Sequence, residues 1–310
     1  MMIIRELGRG KYSDCFKAFD ATRAVALKLS YYRESTIRAY ARHSKHGDMG
    51  AARHAKELDA ISVSMAMAEV AKQMRRHRVS PHIVTVYCEA DVPYLPLRLR
   101  ALLAHRLPHL TPHQIKYSHV CVMELFSCNL TRFAKTTHAT DAALRGMLFQ
   151  VVYTLACLQK LFPGFRHNDL STNNVLVRRC PCTPVRYAYG TARFVVHLGF
   201  TAALADFDFT HVSGHDVLSN ERVLSGKYRI HADHNPCYDT HLLLKTLEPL
   251  LGPRAPETTA FIQGLKLDAH ERLTGSRPNL VPEDLLRHAF FAPLRCEASA
   301  GDVEYAMPTA

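Results

Sequence analysis

Apolar and polar positions set out the elements in order. Ile3, Ile4 and Leu7 predict a first strand, and Ala24-Val25-Ala26-Leu27-Lys28-Leu29 predicts another extended run. Between them lies Leu7-Gly8-Arg9-Gly10-Lys11-Tyr12-Ser13-Asp14-Cys15-Phe16, whose glycines let the backbone turn sharply and approach a ligand closely. Residues 31–60 are polar and basic (Arg33, Arg38, Arg42, Lys45, Arg53, Lys56) and read as helical or irregular. A helix is predicted from about Ile61 to His77, and Ser80-Pro81-His82-Ile83-Val84 opens the next strand. Asp91 to His119 is broken by Pro93, Pro96, Pro108 and Pro112 and made basic by Arg98, Arg100, Arg106 and Lys116. It reads as an insertion between two strands, either a solvated face or a docking surface for an acidic partner. Val120 to Phe126 predicts a buried strand, and Leu130 to Lys135 a short helix. Leu144, Met147, Leu148, Val151, Val152, Leu155 and Leu158 recur at helical spacing and predict a long buried helix over Ala142–Lys160. Arg178 to Ala203 predicts a hairpin region. Its tip is the polar or irregular Cys180-Pro181-Cys182-Thr183-Pro184, and Tyr187–Thr191 and Phe194–His197 are extra strands. Leu242 to Leu251 predicts a helix that Gly252-Pro253 ends, and the tail after Arg295 reads as loose.

Composition bounds this picture. A chain of 310 residues suits one two-lobed domain or two small ones, and 47% apolar residues suffice for a sizeable core. A charged content of 22% argues against wholesale disorder. The formal net charge of +11 points to acidic partners: nucleotide phosphates, acidic protein surfaces or nucleic acid. A merely basic, soluble surface explains the same excess. Nucleic-acid binding rests on charge alone, because no reading motif is present. The nine cysteines form no paired framework and no secretory signal precedes them, so a reduced, intracellular location is expected, cytoplasmic or nuclear. Cys180 and Cys182 lack a second pair at zinc spacing. The longest apolar run, Met147–Leu161, is interrupted by Gln150 and Gln159. It reads as a buried helix, too short to cross a membrane.

The candidate chemistry centres on Phe165-Arg166-His167-Asn168-Asp169-Leu170-Ser171-Thr172-Asn173-Asn174-Val175-Leu176-Val177. An aspartate stands five residues ahead of an asparagine, and a strand-like run follows. Phosphoryl transfer needs one carboxylate to orient the acceptor hydroxyl and oxygen ligands to hold Mg²⁺ on the phosphates. Asp169 and Asn174 could meet both needs, while a polar loop capping a strand is the plain alternative. A second acidic stretch, Leu204-Ala205-Asp206-Phe207-Asp208-Phe209-Thr210, follows the hairpin.

His167, Asp169, Leu170 and Asn174 resemble the catalytic loop H-R-D-L-x-x-x-N of the protein kinase superfamily, with Asn168 standing where arginine is usual. A histidine, an aspartate and a later asparagine also mark small-molecule kinases of the aminoglycoside and choline type. The glycine turn resembles G-x-G-x-x-G-x-V, with Ser13 and Cys15 as departures, and its wording is similar to the loop of casein kinase 2. Val25-Ala26-Leu27-Lys28 resembles V-A-I-K. Asp206-Phe207 resembles D-F-G, with Asp208 for the glycine. Leu267-Asp268-Ala269-His270-Glu271-Arg272-Leu273-Thr274 resembles D-P-x-x-R-x-T, and Pro282–Phe291 resembles the family's last helix. The motifs run in the family's order across about residues 3–291. They are most similar to divergent kinases of large DNA viruses and less so to haspin.

The resemblance implies an α+β, two-lobed fold over residues 1–295, with a tail over 296–310. The small β-rich lobe would take about 1–123, the hinge about 124–128 and the mainly helical lobe about 129–295. It implies ATP and Mg²⁺ as cofactors and transfer of the γ-phosphate to Ser/Thr hydroxyls of a protein substrate, acidic substrates included. Asp169 would be the base or orienter. Lys28 would meet the α- and β-phosphates with Glu69 as its partner, preferred over Glu57. Leu7, Gly8, Gly10, Cys15, Ala26, Met123, Glu124 and Phe126 would line the nucleotide, with Met123 behind the adenine and Glu124 and Phe126 giving backbone contacts. Asn174 and Asp206 would hold the metal, and Asp239 would tether the catalytic loop. Asp208 would add a metal ligand or rigidify the turn. The activation segment, Asp208–Asp239, lacks A-P-E, and Ala255-Pro256-Glu257 comes too late to serve. Without arginine at 168, no activation through phosphorylation of Ser213, Ser219 or Ser225 is expected. Ser171, where serine/threonine kinases commonly carry lysine, loosens the acceptor assignment. Two other readings remain: a pseudokinase scaffold, from positions 168, 171 and 208, and a small-molecule phosphotransferase, from the Asp206-x-Asp208 pair.

Overall fold

The structure, a computed structural model, describes residues 2–10, 13–20, 22–49, 59–92, 118–220, 235–268, 277–297 and 304–307. Lys11 and Tyr12 of the glycine turn, Arg53, Lys56, Glu57, the proline-rich 93–117, Ser225 and the stretch with Arg272 lie outside the described residues. The chain divides into two compact units, Met1–Ala68 with Thr85–Leu125, and Glu69–Val84 with Phe126–Ala310.

The first unit is built on an antiparallel sheet of β1 (Met2–Arg9), β2 (Ser13–Phe19), β3 (Ala24–Tyr31), β4 (Val86–Val92) and β5 (Ser118–Met123), in the order β1-β2-β3-β5-β4. Alternation along β3 sends Val25, Leu27, Leu29 and Tyr31 to one face, where they pack with Phe16 and Ala18 of β2. Residues of the other parity, Ala26 and Lys28, take the opposite face. After β3, α1 (Glu34–Lys45) starts on an acidic residue and ends on Arg42, His43 and Lys45, which suits the helix dipole. Asp59 accepts from the Thr36 hydroxyl at 2.7 Å and so ties α1 to the chain entering α2 (Ala60–Arg76).

Val63, Met67, Ala71 and Met74 form the buried stripe of α2 at intervals of three and four, the period of one helix face. The segment after it departs from expectation. Ser80–Val84 does not open β4, which begins at Val86. His82, Ile83 and Val84 instead bond the chain leaving the second unit's hairpin: Val84 N–H donates to Leu204 O at 3.0 Å and Leu204 N–H to His82 O at 2.9 Å. Pairing with a distant strand, absent from local sequence, overrode the local pattern.

In the second unit, β6 (Cys128–Asn129) and α3 (Leu130–Phe133) lead to α4 (Asp141–Leu161). α4 is long and apolar enough to cross a membrane, yet 83% of its most apolar window is buried, as in a core helix. At Gly146 a Cβ would collide with the Leu198 side chain, so the glycine permits close approach of the hairpin. That hairpin consists of β7 (Val175–Tyr189) and β8 (Ala192–Leu204). Its tip is not at Cys180–Pro184 as expected but at Gly190, whose φ is +57°. Cys180–Cys182 instead falls within the register shift of β7 between Arg179 and Thr183, so the ladder is interrupted around Pro181 without ending the strand, and Pro184 opposes His197. α5 (Tyr238–Leu247), α6 (Pro256–Gly264) and α7 (Pro282–Leu285) complete the unit. Ala255-Pro256-Glu257 opens α6, where Asp141 accepts from Glu257 N–H, Thr258 N–H and the Thr258 hydroxyl.

The expected loose tail is also corrected. β9 (Tyr305–Ala306) pairs in parallel with β7 at Tyr187 and Ala188, and Tyr305 stacks on the Tyr187 ring at 5.8 Å. Met307 is buried.

Candidate active site

In the second unit, the loop from Phe165 to Asn174 is held from below by Asp239, the second residue of α5. The carboxylate takes the His167 N–H on Oδ2 at 2.7 Å and the Asn168 N–H on Oδ1 at 2.8 Å. Burial pushes the Asp239 carboxyl above its ordinary value. His167, the two N–H donors and the Arg166 guanidinium oppose that shift without cancelling it. Asn168 is fully buried at φ +65°, a left-handed conformation that asparagine tolerates better than most residues. The chain reversal there brings Asp169 back over the loop. Asn174 Nδ2 donates to Asp169 Oδ2 at 3.0 Å and to Asp169 O at 2.7 Å, which fixes the carboxylate and directs the amide oxygen elsewhere.

Asp206 stands directly after β8 and is tied to the same loop. Ala205 N–H donates to Asn174 O at 2.9 Å, and Ala205 O lies 3.0 Å from His167 Nε2. Asp206 has φ +65° and ψ +66°. This reversal leaves Asp206 exposed while Phe207 turns inward, 4.7 Å from the His167 ring. Asn174 and Asp206 are hard oxygen donors. They suit Mg²⁺, which accepts one or two carboxylates together with phosphate oxygens and waters. Among the described residues no group of three or more His, Cys, Asp or Glu side chains converges at metal distance, so such an ion would rely on the phosphates for much of its shell.

The first unit carries the other predicted residues except Glu69 and Phe126. Cross-strand partners share a face of a sheet, so register alone assembles them. Gly8 opposes Cys15, Cys15 opposes Lys28, and Ala26 opposes Met123. Gly8, Cys15, Lys28, Ala26 and Met123 therefore lie on one face, opposite the Val25–Tyr31 core. Gly10 N–H closes the turn on Ser13 O at 2.7 Å, and Leu7 is exposed. Glu124 is buried; its N–H donates to Thr85 O at 2.9 Å, so that donor is already used. Phe126, in the second unit, lies beneath the Arg178 guanidinium at 5.5 Å.

Glu69 lies in the second unit, whereas Lys28, its expected partner, lies in the first. Glu69 belongs to the exposed stripe of α2 with Met65, Lys72 and Arg76. Its carboxylate, 57% exposed, accepts from Gln73 at 2.6 Å and pairs with Lys72 at 3.4 Å on its own helix. Those contacts, Gln73 first, hold its carboxyl below the usual value. Spacing to Ser80-Pro81 identified the helix but not the face, which the buried Val63–Met74 stripe decides.

Two residues flanking Asp169–Asn174 escaped the sequence reading. Leu176 is half-buried between the fully buried Val175 and Val177, so it presents an apolar side chain on the opposite face of β7, two residues beyond Asn174. Strand alternation carried that signal. Arg166 is 1% exposed, and its backbone makes a reciprocal pair of 2.9 Å bonds with His211. A buried arginine has no local sequence signature.

An α+β chain with these two loops beside a tethering aspartate is consistent with a protein-kinase-like fold. Comparison with known proteins narrows the kind. Residues 126–253 match the family model described as poxvirus serine/threonine protein kinase. Over 111 residues the chain is 33% identical to a protein of Acanthamoeba polyphaga mimivirus named "Putative serine/threonine-protein kinase". That match covers 33% of this chain and 23% of the mimivirus protein, so the chain spans under a quarter of that relative's length. Both are similarities to viral protein-kinase-like proteins over part of the chain. The family match includes the Asp169 loop, the Asp206 turn and Asp239. The strands with Lys28 lie outside it.

Proposed function

We propose that the protein is an ATP- and Mg²⁺-dependent kinase that transfers the γ-phosphate to Ser/Thr hydroxyls of a protein substrate. The observation that carries this reading is the Asp169–Asn174 pair. One amide group orients the carboxylate through its NH₂ and keeps its oxygen out of that bond, on a loop whose backbone Asp239 grips at two adjacent N–H groups. Asp169 orients the acceptor hydroxyl and takes its proton. Lys28 binds the α- and β-phosphates, and the face with Gly8, Cys15, Ala26 and Met123 receives the nucleotide. Asn174 and Asp206 would hold Mg²⁺, and the bound ion would supply positive charge against the phosphates. The names of the matched family and of the mimivirus relative support Ser/Thr as acceptor.

Transfer from γ-labelled Mg-ATP to acidic and basic test proteins, by wild type and Asp169→Asn, tests the proposal. Loss of a catalytic base costs about 10²–10⁴-fold in rate. Wild-type transfer abolished in the variant, with ATP binding retained and phosphoserine or phosphothreonine as product, is the expected result. Nucleotide binding without transfer to any protein would favour the scaffold reading.

A further inference from the structure

The position before Asp169 carries no cation, yet its side chain has a defined task. Asn168 is fully buried. Its N–H goes to Asp239, and its Nδ2 donates to Phe209 O at 2.9 Å. One residue thus joins α5, the catalytic loop and the turn after Asp206. A second carboxamide acts on the neighbouring carbonyl. Asn220, 2% exposed, donates its Nδ2 to Asp208 O and its N–H to Thr210 O at 3.1 Å. Between these ties the chain closes on itself. Arg166 and His211 exchange two backbone bonds, Val212 N–H donates to Leu218 O at 3.1 Å, and the Ser219 hydroxyl donates to Val212 O at 2.8 Å.

We infer that Asn168 and Asn220 are positioning residues. Their amides take the Asp208 and Phe209 carbonyls and hold the Asp206 turn in its metal-binding shape, so that this segment is ordered without a phosphate on Ser213 or Ser219. The physical reason lies in burial. A guanidinium enclosed at position 168 would need an anion to offset its desolvation. A neutral amide carries no charge to offset and gives its N–H to a backbone carbonyl already there, leaving only its Oδ1 without a partner. This inference rests on the kinase reading for its catalytic consequence, and on the segment's geometry for the tether itself.

The test uses the full chain with Asn168→Gly and Asn220→Ala. Glycine keeps both the positive φ and the N–H to Asp239 and removes only the amide. Alanine keeps the N–H of residue 220. Hydrogen exchange of peptides over 207–220 is read with α4 as internal control, beside transfer rate against Mg²⁺ concentration. In each variant, exchange over 207–220 is expected to rise about tenfold, the factor one lost hydrogen bond gives. Exchange in α4 stays unchanged, the half-saturating Mg²⁺ concentration rises, and the KM for the protein acceptor does not move. Phosphatase treatment leaves the wild-type rate intact. Exchange and Mg²⁺ dependence within about twofold of wild type in both variants would overturn the inference, as would loss of wild-type transfer on dephosphorylation. Should Asn168→Gly also loosen α4, Asn220→Ala decides. Absence of any transfer by wild type would sink the kinase reading, and the exchange comparison would still decide the tether.

Discussion

Replacing Asp239 by asparagine probes the grip beneath the catalytic loop. The carboxylate accepts from His167 N–H and Asn168 N–H, one on each oxygen. Asparagine keeps the shape but offers a single acceptor, so its NH₂ must face one of the two buried donors. One charge-assisted bond is lost, about 1.5–3 kcal/mol, and one buried N–H is stranded, about 1–3 kcal/mol. Relief of the burial cost that raises the Asp239 carboxyl offsets part of this, which leaves about 3 kcal/mol as the expected loss. For a unit of this size 1 kcal/mol corresponds to about 2–4 °C, so Tm should fall by roughly 10 °C. Transfer should fall too, because Asp169 follows directly on the displaced donors. The assay is thermal unfolding of wild type and variant at pH 7, with transfer measured well below both midpoints. A Tm within about 2 °C of wild type, less than the loss of a single ordinary hydrogen bond would cause, would refute the argument that the loop is held from Asp239.

Three further outcomes follow from the same geometry. His82 is buried with Nδ1 on Ala202 O and Nε2 on the Tyr187 hydroxyl, and burial pushes its value from 6.5 down to about 3. Between those limits the unfolded chain binds a proton that the folded chain does not, so this stability is complete above pH 6.5 and falls as pH drops toward 3. The slope is about 1.4 kcal/mol per pH unit at most; denaturant titrations from pH 7 to 4 should show a flatter slope in His82→Phe, and parallel slopes would contradict the assignment. Burial alone would raise the Asp141 carboxyl, but the Thr258 and Glu257 donors at the start of α6 hold it low. Asp141→Ala should therefore cost about 1–2 kcal/mol in urea unfolding, the worth of a helix cap, and an unchanged midpoint would deny the cap. Glu69→Gln should leave the KM for ATP within about twofold of wild type, since its contacts are exposed and on its own helix; a tenfold rise would instead make Glu69 the partner of Lys28.

Much of the architecture was legible in the order of residues. α4 and the strands carrying Lys28 and Leu204 announce themselves by period, because a helix or strand exposes its own spacing wherever one face must be buried. The intervals from Asp169 to Asn174 and on to Asp206-Phe207, which carry the proposed chemistry, are legible in the same local way. What local spacing does not contain is the partner. Whether Glu69 faces inward depends on which side of α2 is covered. Whether 304–307 hangs free depends on the open edge of β7 beside Tyr187, and whether Cys180–Pro184 is a tip or a bulge depends on β8 continuing opposite it. Asn168 shows the difference most sharply. As a letter it is the loss of an expected arginine; in the folded chain its amide meets the Phe209 carbonyl 41 residues away. Such bonds form between segments that only tertiary packing brings together, so the sequence by itself determined the elements and their reactive residues, and the fold decided which of them touch.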